Sequence, residues 1–565
     1  MSTIDFSKKY KLSDEGFLKA KESVVFPYFF KGENGKCTFI CRIVSNKDKT
    51  YNFISSGIEV SKKYIDLDSG KVKFLITYNN GIKMSKKYAE RSILSKSGIE
   101  KLINYGVSFN TDKPKHLINY LMASEQIAPV EYSHTQLGWD KLNGKTVFKS
   151  GKLISADESG AKSTYFGNLD LVPSGSREKW FEMVKTEVIG NIPLTTVMLA
   201  GFASPILGYL NQKYDLGSVL LNLSNSSSKG KTTAAMLATS VFGNPAMNKS
   251  TLITFNATNN ALVNFASQCN SHTIALDEAV ISTASDVTKQ LYTLCSGRDK
   301  LRLNTDSELK EASTFSSFII STAEFDLIPD SATNGIRARV FELKDTFTTS
   351  AENSVKIKSI VAENYGFAGA EFVEFLLKEK INNIEKDYLK CQSELMSEYN
   401  EEFAPCKKGE LTERVFSKLA ILLQTAIYFE KCFGIKIEGN FIEYLKKIEK
   451  SVQGNSDRSA FLLECIKRSV GDNASKYITN PSNAFSGALG KITTDSKGTK
   501  KIIITVSEAN RIFEVNNIEN PKNLLQQLKK DKILLCEKDR LYKRIQLCPF
   551  THVKQHCYEF IVDMI

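Results

Sequence analysis

The spacing of apolar and polar residues divides the chain into four parts. Residues 1–180 carry short runs of β-branched and aromatic residues between turn signals, which predicts a β-rich α+β domain. Residues 181–345 alternate apolar strands with helices, the pattern of α/β proteins. Residues 346–454 have the spacing of amphipathic helices, and residues 455–565 have a helix set followed by a β-hairpin, the outline of a winged helix. The predicted fold class is therefore multidomain α/β.

Particular segments carry these predictions. The hairpin expected near the end of the chain is CEKDRLYKRIQL at 536–547. Four apolar runs predict the strands of the second part, and they are GSVLLNL at 217–223, TLITF at 251–255, HTIALDE at 272–278 and TFSSFIIST at 314–322.

One uncharged stretch raises the question of a membrane span. The 25 residues between Glu187 and Lys213 carry no charge. Polar residues and prolines interrupt them, and the apolar core is shorter than the roughly 20 residues that a spanning helix needs. We expect a buried helix here and no association with a membrane.

The net charge is +12, and its distribution is uneven. Residues 1–180 carry +10, residues 181–440 carry −5, and residues 441–565 carry +7. Two basic modules on either side of an acidic middle suggest a polyanion that contacts both ends of the chain. Ordinary surface lysines are the alternative explanation. The 11 cysteines form no CxxC pair and the N-terminus has no apolar signal region, so reduced thiols in a cytoplasmic protein are expected.

The segment NSSSKGKT at 225–232 predicts a phosphate-binding loop, because it follows an apolar strand and opens a helix. Lys231 is expected to neutralise phosphate charge and Thr232 to ligate Mg²⁺. The motif normally begins with glycine, and Asn225 stands there instead; asparagine tolerates left-handed backbone better than most residues. A serine-rich loop without this role is the alternative. The predicted nucleotide-binding residues are Asn225, Ser226, Ser227, Ser228, Lys229, Gly230, Lys231, Thr232 and Thr233.

Two acidic residues end the apolar run at 272–278. Asp277 at the carboxyl end of a buried strand is expected to hold Mg²⁺ through water, and Glu278 to act as the general base for the attacking water. The pair favours an ATPase that performs mechanical work over a GTPase or a small-molecule kinase. The alternative is that both residues merely begin a helix.

Three further positions extend this prediction. Thr322, at the end of the run FIIST, is expected to act as a polar sensor that orients the water. Arg339, or equally Arg337, is expected to reach the γ-phosphate of a neighbouring subunit as an arginine finger. Arg414 lies early in an amphipathic helix and is a candidate second sensor. Surface arginines are the alternative for the finger.

Two segments concern DNA and metals. The basic segment 296–313 has room for a hairpin, in which Lys300 and Arg302 would grip DNA phosphates in a pore; a solvated hairpin is the alternative. A zinc site is disfavoured near the C-terminus, where a plain helix is expected instead. The residues concerned are Cys548, His552, His556 and Cys557.

Together these segments resemble the ATP-driven replicative helicases of bacterial mobile elements and phages, the Rep/Cch-like, MCM-like AAA+ group. The motifs that carry the resemblance are FASPILGYL, LSNSSSKGKTT, FNATNNAL, ALDEA, SGRDKLR, STAE and ERVFSKLAILLQTA. It implies an AAA+ P-loop core at 181–345, a helical lid at 346–454 and a C-terminal winged helix. It also implies ATP sites between the subunits of a hexameric ring that unwinds DNA, 3′ to 5′.

Three functions stay open at this point. The first is a replicative helicase with single-stranded DNA in its pore, duplex DNA at its basic ends and element-encoded replication partners. The second is an origin-binding initiator that uses ATP only as an assembly switch. The third is a protein-remodelling ATPase, which would leave the basic ends without a role.

Overall fold

The computed structural model describes most of the chain as two compact units. The first unit is Met1–Val172 with Val373–Lys378, and the second is Pro173–Phe372 with Glu379–Ile565. The described residues are 5–32, 39–157, 162–279, 284–298, 302–303, 309–310, 314–328, 334–403, 410–456, 458–480, 482, 484–495, 498–516, 518, 521–537, 540–551 and 553–562.

The first unit is rich in β-strands, as its pattern predicts. Its helices are α1 (Asp14–Lys21), α2 (Lys96–Glu100) and α3 (Pro114–Ile127). Its strands are β1 (Tyr10–Lys11), β2 (Tyr28–Lys31), β3 (Phe39–Ser45), β4 (Thr50–Ser56), β5 (Ile58–Asp66), β6 (Val72–Asn79), β7 (Met84–Glu90), β8 (Val130–His134), β9 (Gly138–Leu142), β10 (Lys145–Lys149), β11 (Leu153–Ser155) and β12 (Ser163–Tyr165).

Three sheets organise this unit. They have the orders β1-β4-β3-β2, β12-β8-β5-β6-β7 and β11-β10-β9. Helix α3 packs on β5, and Leu117, Tyr120 and Leu121 of this helix join the hydrophobic core. Alternate residues of β6, among them Phe74 and Ile76, point into the same core, because neighbouring side chains of a strand face opposite ways.

A buried ion pair joins strands of the first unit. The Lys149 ammonium contacts Asp68 and lies 2.8 Å from Asp140. The side chains of Lys149 and Asp68 are each only 5% exposed. Burial opposes the charge, but hydrogen bonds to Asp140 and Asp68 raise the pKa of Lys149 above its ordinary value. The lysine therefore compensates a carboxylate that has almost no access to water.

The second unit contains the remaining strands and helices. Its strands are β13 (Val219–Ser224), β14 (Leu252–Thr254), β15 (Ile274–Asp277), β16 (Arg302–Leu303), β17 (Leu309–Lys310), β18 (Phe318–Ala323), β19 (Val340–Leu343), β20 (Tyr477–Ile478), β21 (Gly490–Thr494), β22 (Lys500–Thr505), β23 (Leu534–Leu535), β24 (Lys543–Gln546) and β25 (Lys554–Ile561). The helices from α4 onward are α4 (Arg177–Met183), α5 (Ile192–Tyr214), α6 (Lys231–Thr239), α7 (Asn259–Gln268), α8 (Ala284–Ser296), α9 (Asn334–Arg337), α10 (Ala351–Glu363), α11 (Phe367–Phe375), α12 (Ile384–Phe403), α13 (Glu410–Phe433), α14 (Phe441–Ser456), α15 (Arg458–Asp472), α16 (Val506–Val515) and α17 (Pro521–Lys530).

A five-stranded sheet forms the centre of this unit. Its order is β14-β15-β18-β13-β19, and all four strand pairs are parallel. Every residue of β13, β15, β18 and β19 is buried, which explains their nearly continuous apolar sequence. Because the strands are parallel, all their carboxyl ends meet at one edge, where ligands of such sheets bind.

The uncharged stretch forms α5, which lies in the interior. It is long and apolar enough to span a membrane, but most of its residues are buried, and it packs on α6, α13 and β18. A Cβ on Gly201 would lie 2.7 Å from the carbonyl oxygen of Ala238 in α6. The two helices therefore approach closely, and α5 is the buried helix that its polar interruptions predict.

The C-terminal region differs in two places from the prediction. Its sheet has the order β20-β21-β22-β25-β23, and β24 also pairs with β25. Among the described residues of 536–547, the expected hairpin is wrong, because the strand found there, β24, pairs with β25 instead. The helix expected around residues 548–557 is also wrong, because Lys554–Ile561 is a strand that pairs with the apolar strand β22.

We predict that Lys149→Met destabilises the first unit by about 3–5 kcal/mol at neutral pH, because it leaves the buried carboxylate of Asp68 without its cationic partner. The measurement is urea unfolding followed by the fluorescence of Trp139. This residue lies in the same unit, and a Trp180→Phe background removes the second of the two tryptophans.

Lys145→Met is the matched control for this prediction. Lys145 pairs with Asp157 at 3.3 Å, but the two side chains are 73% and 46% exposed, so the loss should stay below about 1 kcal/mol. Equal losses in the two variants would contradict a special role for the buried pair.

Candidate functional site

The segment 225–230 forms a loop between a buried strand and a helix, as predicted. Strand β13 ends at Ser224, and α6 begins at Lys231 with Gly230 as its N-cap residue. Gly230 has a φ of 81°, and a Cβ there would lie 2.5 Å from the Cγ2 atom of Thr348. Glycine is therefore required by both backbone and space, and the free amides of α6 point towards the loop.

Asn225 ties the loop to the neighbouring strand. Its amide group donates hydrogen bonds of 3.1 Å to the carbonyl oxygens of Lys344 and Asp345, directly after β19. Its side-chain oxygen accepts from the amide of Ser226 at 2.8 Å. The left-handed backbone expected at Asn225 occurs at Ser228 instead, with a φ of 65°. The Asn225 side chain therefore anchors the loop to the chain after β19, which glycine could not do.

Lys231 lies folded over this loop. Its ammonium donates to the carbonyl oxygen of Asn225 and, at 3.0 Å, to that of Ser226. Burial lowers the pKa of Lys231, while Glu324 and Asp277 oppose that change. The ammonium group is therefore held by neutral carbonyls, and an anionic ligand in the loop would bind it better.

Two threonine hydroxyls donate to Asp277, at the carboxyl end of β15. The Thr322 hydroxyl donates to Asp277 Oδ1 at 2.5 Å, and the Thr232 hydroxyl donates to the same atom at 3.2 Å. The Thr322 oxygen also accepts from the backbone amide of Glu278 at 2.9 Å. Glu278 has a φ of 58°, a strained conformation for glutamate. The predicted metal ligands and the predicted sensor thus form one hydrogen-bonded group.

A cavity of about 980 Å³ opens beside these residues. The predicted residues that line it are Ser227, Ser228, Lys229, Gly230, Lys231, Thr232, Thr233, Glu278 and Thr322. Loop amides and a lysine suit phosphate groups, and the hydroxyl of Thr232 with the carboxylate of Asp277 supplies the hard oxygen ligands that Mg²⁺ prefers. The residues present therefore fit a magnesium–nucleoside phosphate.

The remaining loop residues are fixed by neighbours. The Ser227 hydroxyl donates to the carboxylate of Glu324, which follows β18. The Lys229 carbonyl accepts from the amide of Phe347 at 2.9 Å. The hydroxyls of Thr233 and Ser354 lie 2.7 Å apart, which joins α6 to α10.

The predicted arginines do not join this cavity within the chain. Arg339 directly precedes β19, so it lies at the amino-terminal edge of the parallel sheet, opposite the loop. Arg414 is exposed on α13, and both arginines act on the charge of Lys418. Arg337 is 5% exposed, on the one-turn helix α9.

Lys418 is buried in the middle of this basic cluster. Its ammonium donates to the carbonyl oxygen of Leu216 at 2.6 Å. Burial, reinforced by Arg339 and Arg414, lowers the pKa of Lys418 to about 7. The apolar spacing of α13 does not predict a special role for Lys418. The only signal in the sequence is a charged residue at a position where the spacing predicts a buried one.

The predicted DNA-contacting hairpin is described only in part. Strands β16 and β17 pair antiparallel, with Arg302 opposite Lys310. Lys300 lies outside the described residues.

The C-terminal cysteines and histidines are not gathered into a metal site among the described residues. Cys548 and Cys557 are buried in an apolar cluster with Leu547 and Ile503. The His556 ring accepts a hydrogen bond from Arg544 at 3.1 Å. In the part of the chain that is described, no group of three or more potential ligands could hold a metal. His552 lies outside that part.

Comparisons with known proteins extend these observations. Residues 35–314 match a family described as a domain of unknown function (DUF927), and residues 462–564 match the Cch helix turn helix domain. A solved structure titled "SCCmec type IV Cch - active helicase" is 22% identical, with a TM-score of 0.67 over 94% of this chain and 97% of that chain. No match was found among curated proteins.

The chain therefore has the multidomain α/β fold of that Cch protein along nearly its whole length. The helix turn helix match covers α15 to α17 and the C-terminal sheet. The matched residues include the region in which the expected hairpin and helix were wrong. That region still matches a helix turn helix domain, although two of its elements differ from the prediction.

Sequence reasoning missed a buried polar pair beneath the loop. Asn222 in β13 donates to the Glu342 carboxylate in β19 at 2.6 Å. Glu342 also accepts from the backbone amides of Leu327 and Ile328 at 2.8 and 3.0 Å. Burial raises the pKa of Glu342 to about 7. The only signal for this pair is one polar residue inside each of two apolar strands.

We predict that Lys418 makes the protein more stable as pH rises. With a pKa near 7 in the folded state and about 10.4 when unfolded, only the unfolded state holds the proton between these values. Stability therefore increases with pH in this window, by about 1.4 kcal/mol per pH unit from this group. Urea unfolding at pH 7.5 and 9.5 should show that Lys418→Met removes this increment.

The exposed Lys431 on the same helix provides the control, because its ammonium contacts water in both states. Lys431→Met should keep the pH dependence of the wild type. The prediction is wrong if Lys418→Met and the wild type gain the same stability between the two pH values.

Proposed function

We propose that this chain is an ATP-driven DNA helicase of a mobile genetic element, with an AAA+ core, a helical lid and a C-terminal winged helix. The observation that carries the proposal is the meeting of Lys231, Thr232, Asp277, Glu278 and Thr322 at the carboxyl edge of one parallel sheet. Each of these side chains has a separate task in phosphoryl transfer to water.

The contacts of Lys231 suggest how a triphosphate binds. The Lys231 ammonium leaves the carbonyl oxygens of Asn225 and Ser226 for the β- and γ-phosphates, while the amides at the start of α6 bind the same groups. Thr232 and Asp277 would hold Mg²⁺, which neutralises charge that develops on the phosphates.

Glu278 is the proposed general base. It lines the cavity, and its carboxylate would accept a proton from the attacking water. Its backbone amide donates to Thr322, whose hydroxyl donates to Asp277. Thr322 therefore links the base to the metal ligand and acts as the sensor.

The position of the arginines supports hydrolysis between subunits. Arg339 and Arg414 lie near Lys418 at the sheet edge opposite the loop, so a second copy of the chain would have to present them to the phosphates. Arg339 is preferred over Arg337 as the finger because Arg337 is buried. This arrangement favours a ring, for which six subunits are the expected number.

DNA is the proposed substrate for two reasons. The match of residues 462–564 is to a helix turn helix domain, a type that binds duplex DNA, and the structural neighbour is titled an active helicase. Arg302 and Lys310 on the short hairpin supply cations for a single strand in the pore. The basic N-terminal region would bind further phosphates.

We predict that the wild type displaces a labelled strand from a forked duplex with ATP and that Lys231→Ala does not. Glu278→Gln should bind ATP with little change but hydrolyse it at least about 100-fold more slowly, because the proton acceptor is lost. Nucleotide binding and phosphate release are measured on the same preparations.

Each negative outcome has a distinct meaning. ATP turnover and DNA binding without displacement would favour an initiator that needs a separate helicase. Stimulation by unfolded protein and not by DNA would favour a remodelling ATPase. Normal turnover by Glu278→Gln would show that the base is another residue.

We also predict complementation between two inactive variants. Lys231→Ala lacks a working loop but retains Arg339, whereas Arg339→Ala lacks the finger but retains the loop. In an equal mixture about a quarter of the subunit interfaces combine both intact parts, so ATPase activity should reappear.

The mixture is compared with each variant alone, and co-assembly is checked by light scattering. If the mixed rings form and activity stays at the level of the single variants, Arg339 does not act across subunits. An Arg337→Ala variant, tested in the same mixtures, shows whether Arg337 or Arg339 acts as the arginine finger.

A further inference from the structure

We infer that Glu324 competes with the γ-phosphate for the phosphate loop and so weakens the binding of ATP relative to ADP. This inference rests on the proposed ATPase function, and it adds a residue that sets nucleotide preference. Glu324 is the last residue of the STAE motif and lies directly after the sensor strand β18, but the sequence analysis gives it no role in the site.

The first observation is a direct contact between Glu324 and the loop. The Ser227 hydroxyl donates to Glu324 Oε1, and both residues line the cavity. Ser227 precedes Lys231 by four residues in the segment that would wrap the phosphates. The carboxylate therefore occupies a place where a phosphate oxygen would accept the same hydroxyl proton.

The second observation concerns charge. Glu324 and Lys231 both line the cavity, and the lysine ammonium is held by the carbonyl oxygens of Asn225 and Ser226. A triphosphate bound to Lys231 would therefore face the Glu324 carboxylate as a second anion in the same cavity.

The third observation is that Glu324 is held in place by its own segment. The Asn222 side chain donates to the carbonyl of Phe325 at 3.1 Å, and Glu342 accepts from the amide of Leu327. Asp326 accepts from Ser224 at 3.1 Å and pairs with Lys344 at 2.7 Å. Glu324 therefore has little freedom to withdraw its backbone when the phosphate arrives.

These three observations give a difference between the two nucleotides. The γ-phosphate is the group that would approach Ser227 and Glu324, and ADP lacks it. Like charges a few ångströms apart repel each other. The carboxylate thus lowers the affinity for ATP selectively, and it favours the departure of phosphate after hydrolysis.

The test compares dissociation constants for AMP-PNP and ADP, each with Mg²⁺, by displacement of a fluorescent nucleotide. Glu324→Gln keeps the shape and a hydrogen-bond acceptor for Ser227 but removes the charge. We expect about tenfold tighter binding of AMP-PNP and a change within about twofold for ADP. Glu324→Ala should show the same selectivity, because it removes the same charge.

Glu363→Gln is the matched control, since Glu363 is an exposed glutamate of α10 that does not line the cavity. It should leave both dissociation constants unchanged. The rate constant kcat is measured for Glu324→Gln and Glu278→Gln together, because Glu278 is the proposed base.

Several results would overturn the inference. They are equal shifts for AMP-PNP and ADP, no shift with either variant, or a loss of kcat in Glu324→Gln as large as that in Glu278→Gln. The last result would make Glu324 the proton acceptor. The variant Lys231→Ala distinguishes failure of this inference from failure of the proposed function. If Lys231→Ala binds both nucleotides like the wild type, the cavity is not a nucleotide site at all.

Discussion

The carboxylate of Asp277 is the point on which the arrangement of the candidate site depends. It accepts hydroxyl protons from Thr232 at the start of α6 and from Thr322 near the end of β18. The residue is only 5% exposed, so an ionised carboxylate there needs these donors. Asp277 therefore holds β15, α6 and β18 in fixed positions relative to one another. The positions of these elements in turn determine where the phosphate loop and Glu278 lie.

The parallel sheet separates the two kinds of charged residues in this unit. Its carboxyl edge carries Asp277, Glu278 and the loop with Lys231, whereas Arg339, Arg414 and Lys418 gather at the other edge. Hydrolysis that needs both groups cannot be completed inside one chain with this geometry. Under the proposed ATPase function, a neighbouring copy of the chain would have to supply these arginines, which would couple assembly to chemistry.

The sequence predicts most of the sheet and the contents of its edge for a simple reason. Buried parallel strands are continuous apolar runs, and the residues that end them stand at the ligand-binding edge. The patterns at Lys231, Thr232 and Asp277 are therefore visible without a structure. The resemblance of the motifs to one helicase group also agrees with the fold of the Cch neighbour.

What the sequence could not predict depends on pairing over long distances. The strand Lys554–Ile561 looks like the end of a helix by its spacing, but it pairs with β22, which begins far back in the chain at Lys500. Likewise, Asn225 suggests a left-handed turn by its residue type, yet its amide reaches the chain after β19 and Ser228 takes the turn. A local sequence pattern gives no information about partners that lie far away in the chain.

The polar pair of Asn222 and Glu342 shows how such hidden contacts serve the site. A carboxyl group within two apolar strands costs free energy, and here it is offset by one side-chain amide and two backbone amides. The two backbone amides belong to the segment that follows β18, and the same segment holds Glu324 next to the phosphate loop. The buried Glu342 thus positions the exposed Glu324. A hydrophobic residue in place of Glu342 would pack in the sheet but would leave that segment without its anchor.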